Sequence, residues 1–219
     1  IDPTLLADLL SYARKAGADD GDAIGVTEVS TEVRVRMGEV ETSSRSERHD
    51  VGLRLFVGQR SAIVSSNDLR RDTLRGLIDH AVAAARQIDV DVDSRVPTND
   101  ELADAPMALT LADEAVASIS VTALIELARR AERAALDADP RITNSEGGEA
   151  SAGQSAMTLV TMAGTTRSRR STSASIVAVP IASADGAMEV DYWYASRRRL
   201  ADLPSPESIG AMASARGLR

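Results

Sequence analysis

Apolar and polar residues alternate through the run from Thr27 to Leu69, and Gly punctuates it at wide intervals. Val33, Val35 and Met37 fall on one side of an extended chain, Arg34 and Arg36 on the other, and Val51, Leu53, Leu55 and Val57 repeat the period. Successive strand side chains point to opposite faces, so this pattern predicts a meander of at least three antiparallel strands, one face buried and one wet. Gly38 and the Gly58-Gln59 pair stand where hairpins must reverse, because Gly reaches positive φ without a Cβ clash.

Helical periods flank the meander. Asp2 offers a capping side chain, Pro3 suits a first helical position, Leu5, Leu6, Leu9, Leu10 and Ala13 form one stripe, and Gly17 closes it. Ser66-Asn67-Asp68 offers caps for a second helix with the face Leu74, Leu77, Ile78, Ala81, Val82, Ala85 and Ile88. From Asp89 to about Ser118 the pattern fades into acidic DVDVDS, Pro97, Pro106 and short apolar runs such as Met107 to Leu111, which reads as a linker.

The second half repeats the order. Ser120 caps a helix carrying Leu124, Leu127, Ala128, Ala131, Ala135 and Leu136, with Pro140 after its end. Residues 142–151, 157–162, 168–181 and 188–196 read as strands, with turns at 147–148, 164 and 185–186, and Pro180 places the third at an edge or strand end. Ser205-Pro206-Glu207 opens a last helix with Ile209, Met212 and Ala213. The fold class is therefore α+β, two consecutive units of helix, antiparallel-strand meander and helix: an N-terminal domain at 1–90, a linker at 91–118 and a central domain at 119–219. The repetition is of architecture, without a residue-level repeat.

Composition narrows the function classes. Aromatics are 2% of 219 residues, so the core must be built from Ala, Val, Leu and Ile, with little area buried per residue. A net charge of -8 repels a polyanion and sets nucleic acid aside as a partner. Without Cys there is neither a disulfide framework nor a thiolate metal site, which fits a cytoplasmic protein. The opening IDPTLLADLL has no basic n-region, and no stretch approaches the roughly 20 apolar residues of a membrane span, so the expectation is a soluble chain without a membrane partner.

Catalytic patterns are missing from the sequence. His49 and His80 are the two histidines, and they lack metal-ligand spacing; His49 reads as a surface residue and His80 as the margin of a packing face. There is no Gly-x-Ser-x-Gly elbow, phosphate loop or dinucleotide fingerprint. Asp19-Asp20 sits in turn-like sequence, and the Asp-rich segment after Ile88 lacks the turn Gly and distant Glu of a calcium loop. No catalytic or metal-ligating residue is assigned.

Two stretches stand out chemically. Tyr192-Trp193-Tyr194, followed by Arg197-Arg198-Arg199, gathers three of the five aromatics beside three guanidinium groups. Aromatic and Arg side chains anchor protein contacts, so Tyr192, Trp193, Tyr194 and Arg197 are the candidate peptide or partner contact. The competing reading packs the aromatics against a helix and pairs the arginines with the acidic excess. Arg167, Arg169 and Arg170 form the other basic cluster, without interleaved aromatics.

The run Val33 to Leu69, ITNSEG at Ile142 to Gly147, and MEVDYWYASRRRLADLPSPESIG at Met188 to Gly210 follow one another in an order that resembles the PmbA/TldD family, nearer its PmbA (TldE) branch. The resemblance covers most of the chain. It implies a cytoplasmic bacterial subunit with a further C-terminal domain, working in a TldD-TldE heterodimeric zinc protease on peptides or unfolded proteins. The family's zinc belongs to TldD, on an HExxxH helix that nothing in this chain matches. The resemblance thus implies a non-catalytic portion without a cofactor of its own, zinc only in a TldD-type partner, and a TldD-like subunit or a second copy as partner. The alternative is a non-enzymatic binding or regulatory protein of the DNA-gyrase-modulator type, or a self-associating scaffold.

Overall fold

The computed structural model describes residues 1–101, 109–184 and 186–219. It is α+β, as the pattern predicts. Helices α1 (Pro3–Ala16), α2 (Arg71–Ala85), α3 (Glu114–Ala117), α4 (Val121–Leu136) and α5 (Pro206–Gly217) accompany strands β1 (Asp20–Arg36), β2 (Glu39–Phe56), β3 (Ser61–Ser66), β4 (Ile142–Thr161), β5 (Thr166–Ala184), β6 (Ala187–Val190) and β7 (Trp193–Arg197). The strands join in one sheet of order β3-β2-β1-β4-β5-β6, and β7 also pairs with β5. Pro106, Met107 and Asp185 lie outside the described residues.

Contacts gather the chain into two compact units that do not follow chain order. One takes Ile1–Glu28, Arg48–Leu109 and Ser155–Arg170; the other takes Val29–Glu47, Thr110–Gln154 and Ser171–Arg219. The long strands are the reason, since β1, β2, β4 and β5 each give residues to both units.

In the first unit, the Asp2 carboxylate accepts the Thr4 N–H at 2.8 Å, and Gly17 ends α1 at φ 107°. Leu6, Leu9 and Leu10 of α1 and Leu74 and Ile78 of α2 share a core with Val51, Leu53 and Leu55 of β2. Burying each such side chain contributes about 1.5–3 kcal/mol against chain entropy. The second helix starts differently from expectation: its N-cap is Arg70, which makes no side-chain cap. Asp68 instead accepts the Arg70 N–H at 3.0 Å and the Thr73 hydroxyl at 3.0 Å, bracing the approach to α2.

In the second unit, α4 begins where Ser120 accepts the Ala123 N–H at 3.1 Å and packs Leu124 and Ala128 on Val33, Val35, Ala150 and Ala152. The turn expected at 147–148 is not a turn: β4 runs unbroken from Ile142 to Thr161. Both glycines are close-approach positions. A Cβ on Gly147 (φ 129°) would stand 2.7 Å from the Val35 carbonyl oxygen, and one on Gly148 would overlap the Ala128 carbonyl oxygen of α4. The strand expected at 188–196 is two strands, for a reason that register makes plain. Ala178 faces Trp193 and Ile181 faces Val190, so one register runs through both β6 and β7 and sets Pro180 opposite Asp191. Pro has no N–H to give the ladder, and the pairing is interrupted there.

Candidate functional site

Small residues let α5 seat closely on α4 beneath the β5–β7 pair. Ala131 and Ala135 of α4, Ile209 and Ala213 of α5, Ile176 and Ala178 of β5 and Ala195 of β7 form one buried cluster. A Cβ on Gly210 would overlap the Ala131 carbonyl oxygen, and the buried Ser214 hydroxyl donates to the Ala135 carbonyl at 2.8 Å. Ser205 caps α5 by accepting the Ser208 N–H at 3.2 Å, and Arg130 bridges the two helices to Glu207 at 2.7 Å.

This inner packing fixes the other side of the strand. Ala195 points inward opposite Ile176, so by alternation Tyr194 points outward opposite Val177. Tyr192 and Tyr194 are 54% and 56% exposed and stack on each other with ring centroids 6.2 Å apart. Trp193 belongs to the opposite side, where the Arg216 guanidinium lies 5.4 Å from its ring centre and also reaches Asp191 at 3.1 Å. The Asp191 carboxyl is held below its ordinary value, first by the Tyr192 N–H it accepts and then by Arg216. Arg197 donates to the Ser196 carbonyl at 2.8 Å and has no carboxylate partner among the described residues.

Of the sequence-predicted contact residues, the structure thus brings Tyr192 and Tyr194 together on the open face and turns Trp193 to the other. Sequence reasoning missed two companions. Met188 and Val190 of β6 are exposed, and the shared register puts them on the same face as Tyr192 and Tyr194. Their alternation with Glu189 and Asp191 was visible, but which face α5 covers was not.

A second arrangement was also missed. Glu132 of α4 is buried, and its carboxylate accepts the N–H groups of Met37 at 2.8 Å and Gly38 at 2.9 Å. Both turn residues have positive φ, 50° and 83°, as a tight two-residue hairpin requires, and Met is an unusual occupant there. Arg129 donates to the Gly38 carbonyl at 3.0 Å, so α4 holds the β1–β2 turn by donors and acceptors together. A cavity of about 480 Å³ lies beside this clamp, lined by Met37, Glu39, Arg129 and Arg133.

Zinc chemistry finds no matching donors in the described residues. His49 on β2 and His80 on α2 are both exposed, and no group of three or more His, Cys, Asp or Glu is placed to hold a metal ion among the described residues. Arg167, Arg169 and Arg170 open β5 and lie in the other compact unit from Arg197. Among the described residues no helix is long and apolar enough to cross a membrane.

The comparison with family models matches residues 21–85 to PmbA/TldA metallopeptidase domain 1 and residues 114–219 to the PmbA/TldA metallopeptidase central domain. The chain belongs to the PmbA/TldD family. Among relatives of this PmbA/TldD chain, the metalloprotease PmbA of Escherichia coli O157:H7 is 34% identical over 205 residues, covering 93% of this chain and 45% of that protein. The metalloprotease PmbA homolog of Haemophilus influenzae is 31% identical over 203 residues, covering 92% and 44%. The chain spans about half the length of these curated relatives. Among solved structures, a candidate modulator of DNA gyrase from Bacteroides thetaiotaomicron superposes with a TM-score of 0.88 at 23% identity, over 98% of this chain and 49% of that one. TldE from Thermococcus kodakarensis superposes with a TM-score of 0.78 at 14% identity, over 98% and 47%. At those identities the structures show that the PmbA/TldD fold is shared.

Proposed function

We propose that this chain is the N-terminal and central portion of a PmbA/TldE-type subunit that works, without catalytic groups in this portion, in a TldD-TldE zinc metallopeptidase acting on peptides or unfolded proteins. The observation that carries the reading is the 34% identity over 205 residues to a metalloprotease PmbA, with both family domains matched in order. The two histidines, His49 and His80, lack metal-ligand spacing in the sequence, and on this reading the zinc sits in a TldD-like partner. Tyr192, Trp193, Tyr194 and Arg197 are the proposed contact with partner or peptide, and the cytoplasm is the proposed compartment.

The test is reconstitution. The full-length protein, purified alone and with a TldD-like subunit from the same genome, is assayed for bound zinc and for cleavage of unfolded casein. The reading expects both in the pair and neither in the protein alone. One zinc per chain with cleavage by the protein alone would place it in the catalytic branch, and a pair that never forms would favour the regulatory reading. We also propose that residues 91–118 act as the linker between domains at 1–90 and 119–219, a stretch that overlaps the gap between the two matched segments. Limited proteolysis should then cut first within 91–118, and a first cut between Val51 and Val64 would contradict it.

A further inference from the structure

One face of the sheet edge is left without a covering layer, and its pattern has a direction. Met188, Val190, Tyr192 and Tyr194 alternate along β6, the interruption and β7, and the common register sets them beside Ile181, Val179 and Val177 of β5. Met188 is 73% exposed and Val190 49%, so with the two tyrosines the row is open to solvent along its length. Scattered exposed apolar residues need no explanation, but a contiguous row on a strand pair marks a contact surface. The helices α4 and α5 lie on the opposite side, under Ala178 and Ala195.

The row ends in positive charge. Arg198 follows Tyr194 and Ser196 in the same alternation and has no carboxylate partner among the described residues, whereas Arg197 stands opposite the buried Ala174 on the covered side and Arg199 meets Asp202 at 3.7 Å. On the row itself there is no acidic side chain: Glu189 and Asp191 belong to the other face by alternation, and Asp191 is engaged by Arg216. In a chain of net charge -8 this is a local excess of cation at one end of an apolar strip.

We propose that the strip binds an extended polypeptide segment with apolar side chains at alternate positions and its free C-terminal carboxylate at the Arg198 end. The side-chain repeat of an extended segment, about 6.6 Å, is the repeat of the row itself, so successive apolar side chains of the ligand meet Tyr194, Tyr192, Val190 and Met188 in turn. The carboxylate supplies the counter-charge that the Arg198 guanidinium lacks. This rests on the proposal that the subunit handles peptides, and it adds what kind of peptide and in which direction.

The probe is a fluorescein-labelled eight-residue peptide alternating threonine and valine and ending in aspartate with a free carboxyl terminus, titrated with the protein by fluorescence anisotropy. Two control peptides replace the valines by serine, or the terminal aspartate by an asparagine amide. Binding should fall at least about fivefold with the serine peptide and about threefold with the amide. Tyr194→Ser should weaken the valine peptide about fivefold at an unchanged melting temperature, and Arg198→Gln should erase the preference for the free carboxylate while keeping that for valine. Equal binding of valine and serine peptides, no binding of either, or indifference to Tyr194→Ser would overturn the proposal. Loss of TldD-like partner capture in the Tyr194→Ser variant, without peptide binding by the parent, would assign the strip to a subunit interface. The reconstitution assay for zinc and casein cleavage reads the underlying functional proposal separately, so either can fail alone.

Discussion

The second compact unit presents two strand edges of opposite character. Along β2, residues Glu39–Glu47 have no partner strand on the β3 side among the described residues, since β3 pairs only with Val51 to Phe56. All of Glu39–Glu47 is exposed, its side chains are almost wholly polar, and Arg45 pairs with Glu47 two residues on at 2.8 Å. The edge formed by β6 and β7 carries Met188, Val190, Tyr192 and Tyr194 instead. A strand edge offers unpaired backbone groups to any passing chain, and charged side chains blunt that tendency. The contrast teaches that this fold guards one edge with charge and leaves one face of the other apolar, so that apolar face is where binding is to be sought.

Removing what supports each edge tests the contrast. The largest effect is expected at Gly210→Ala, which drives a methyl group into the α4 backbone beneath the apolar edge. Backbone cannot step aside as a side chain can, so a loss of about 2–3 kcal/mol is expected, read as a melting temperature about 5 to 10 °C lower. Gly38→Ala, at a turn with open space around it, should cost about 1 kcal/mol through its positive φ alone. Thermal melts of the two variants should fall in that order.

Between those two in size is Glu132→Ala, which strips the acceptor from the turn that begins the polar edge. Two N–H groups lose their partner, at about 2 kcal/mol by urea titration. Glu132→Gln keeps an oxygen in place and should recover part of the loss. If both variants melt like the parent, the clamp does not hold the turn.

The smallest effect concerns acid. Arg130 holds the Glu207 carboxyl below its ordinary value, and the Tyr192 N–H, then Arg216, do so for Asp191. Asp139 is lowered to about 2, chiefly by hydrogen bonds from Arg141. Folded values below the unfolded ones mean that these carboxylates stabilise the fold above pH about 4 and lose that contribution as pH falls toward 2. Melting temperature should be level from pH 7 to 5 and decline below about 4, with a modest slope because the groups are exposed. Glu207→Gln combined with Asp191→Asn should flatten that decline; an unchanged slope would remove these pairs from the account.

Local chemistry explains which parts of the fold were legible in the sequence. Asp2, Pro3 and Gly17 delimit α1 by signals within a turn of each boundary, and the period-two run marks β1 and β2 directly. Gly147-Gly148 was misread because Gly serves both positive φ and close approach, and the partners that decide, Val35 and Ala128, lie far away in sequence. The interruption between β6 and β7 follows from Pro180 only once the register is known. Glu132 sits among alanines in a helix, where a carboxylate is ordinarily solvated, and nothing local announces the turn it caps. The candidate contact was half legible: aromatics beside arginines drew attention to 192–197, whereas the division of that strand into a covered and an open face needed α5 in place.

Hydrogen exchange on the protein with and without the valine-rich, aspartate-ended peptide tests the contrast between the edges most directly. The account predicts added protection at residues 187–198 and none at 39–47. Protection at 39–47, or protection at neither edge under conditions where the peptide is bound, would contradict it.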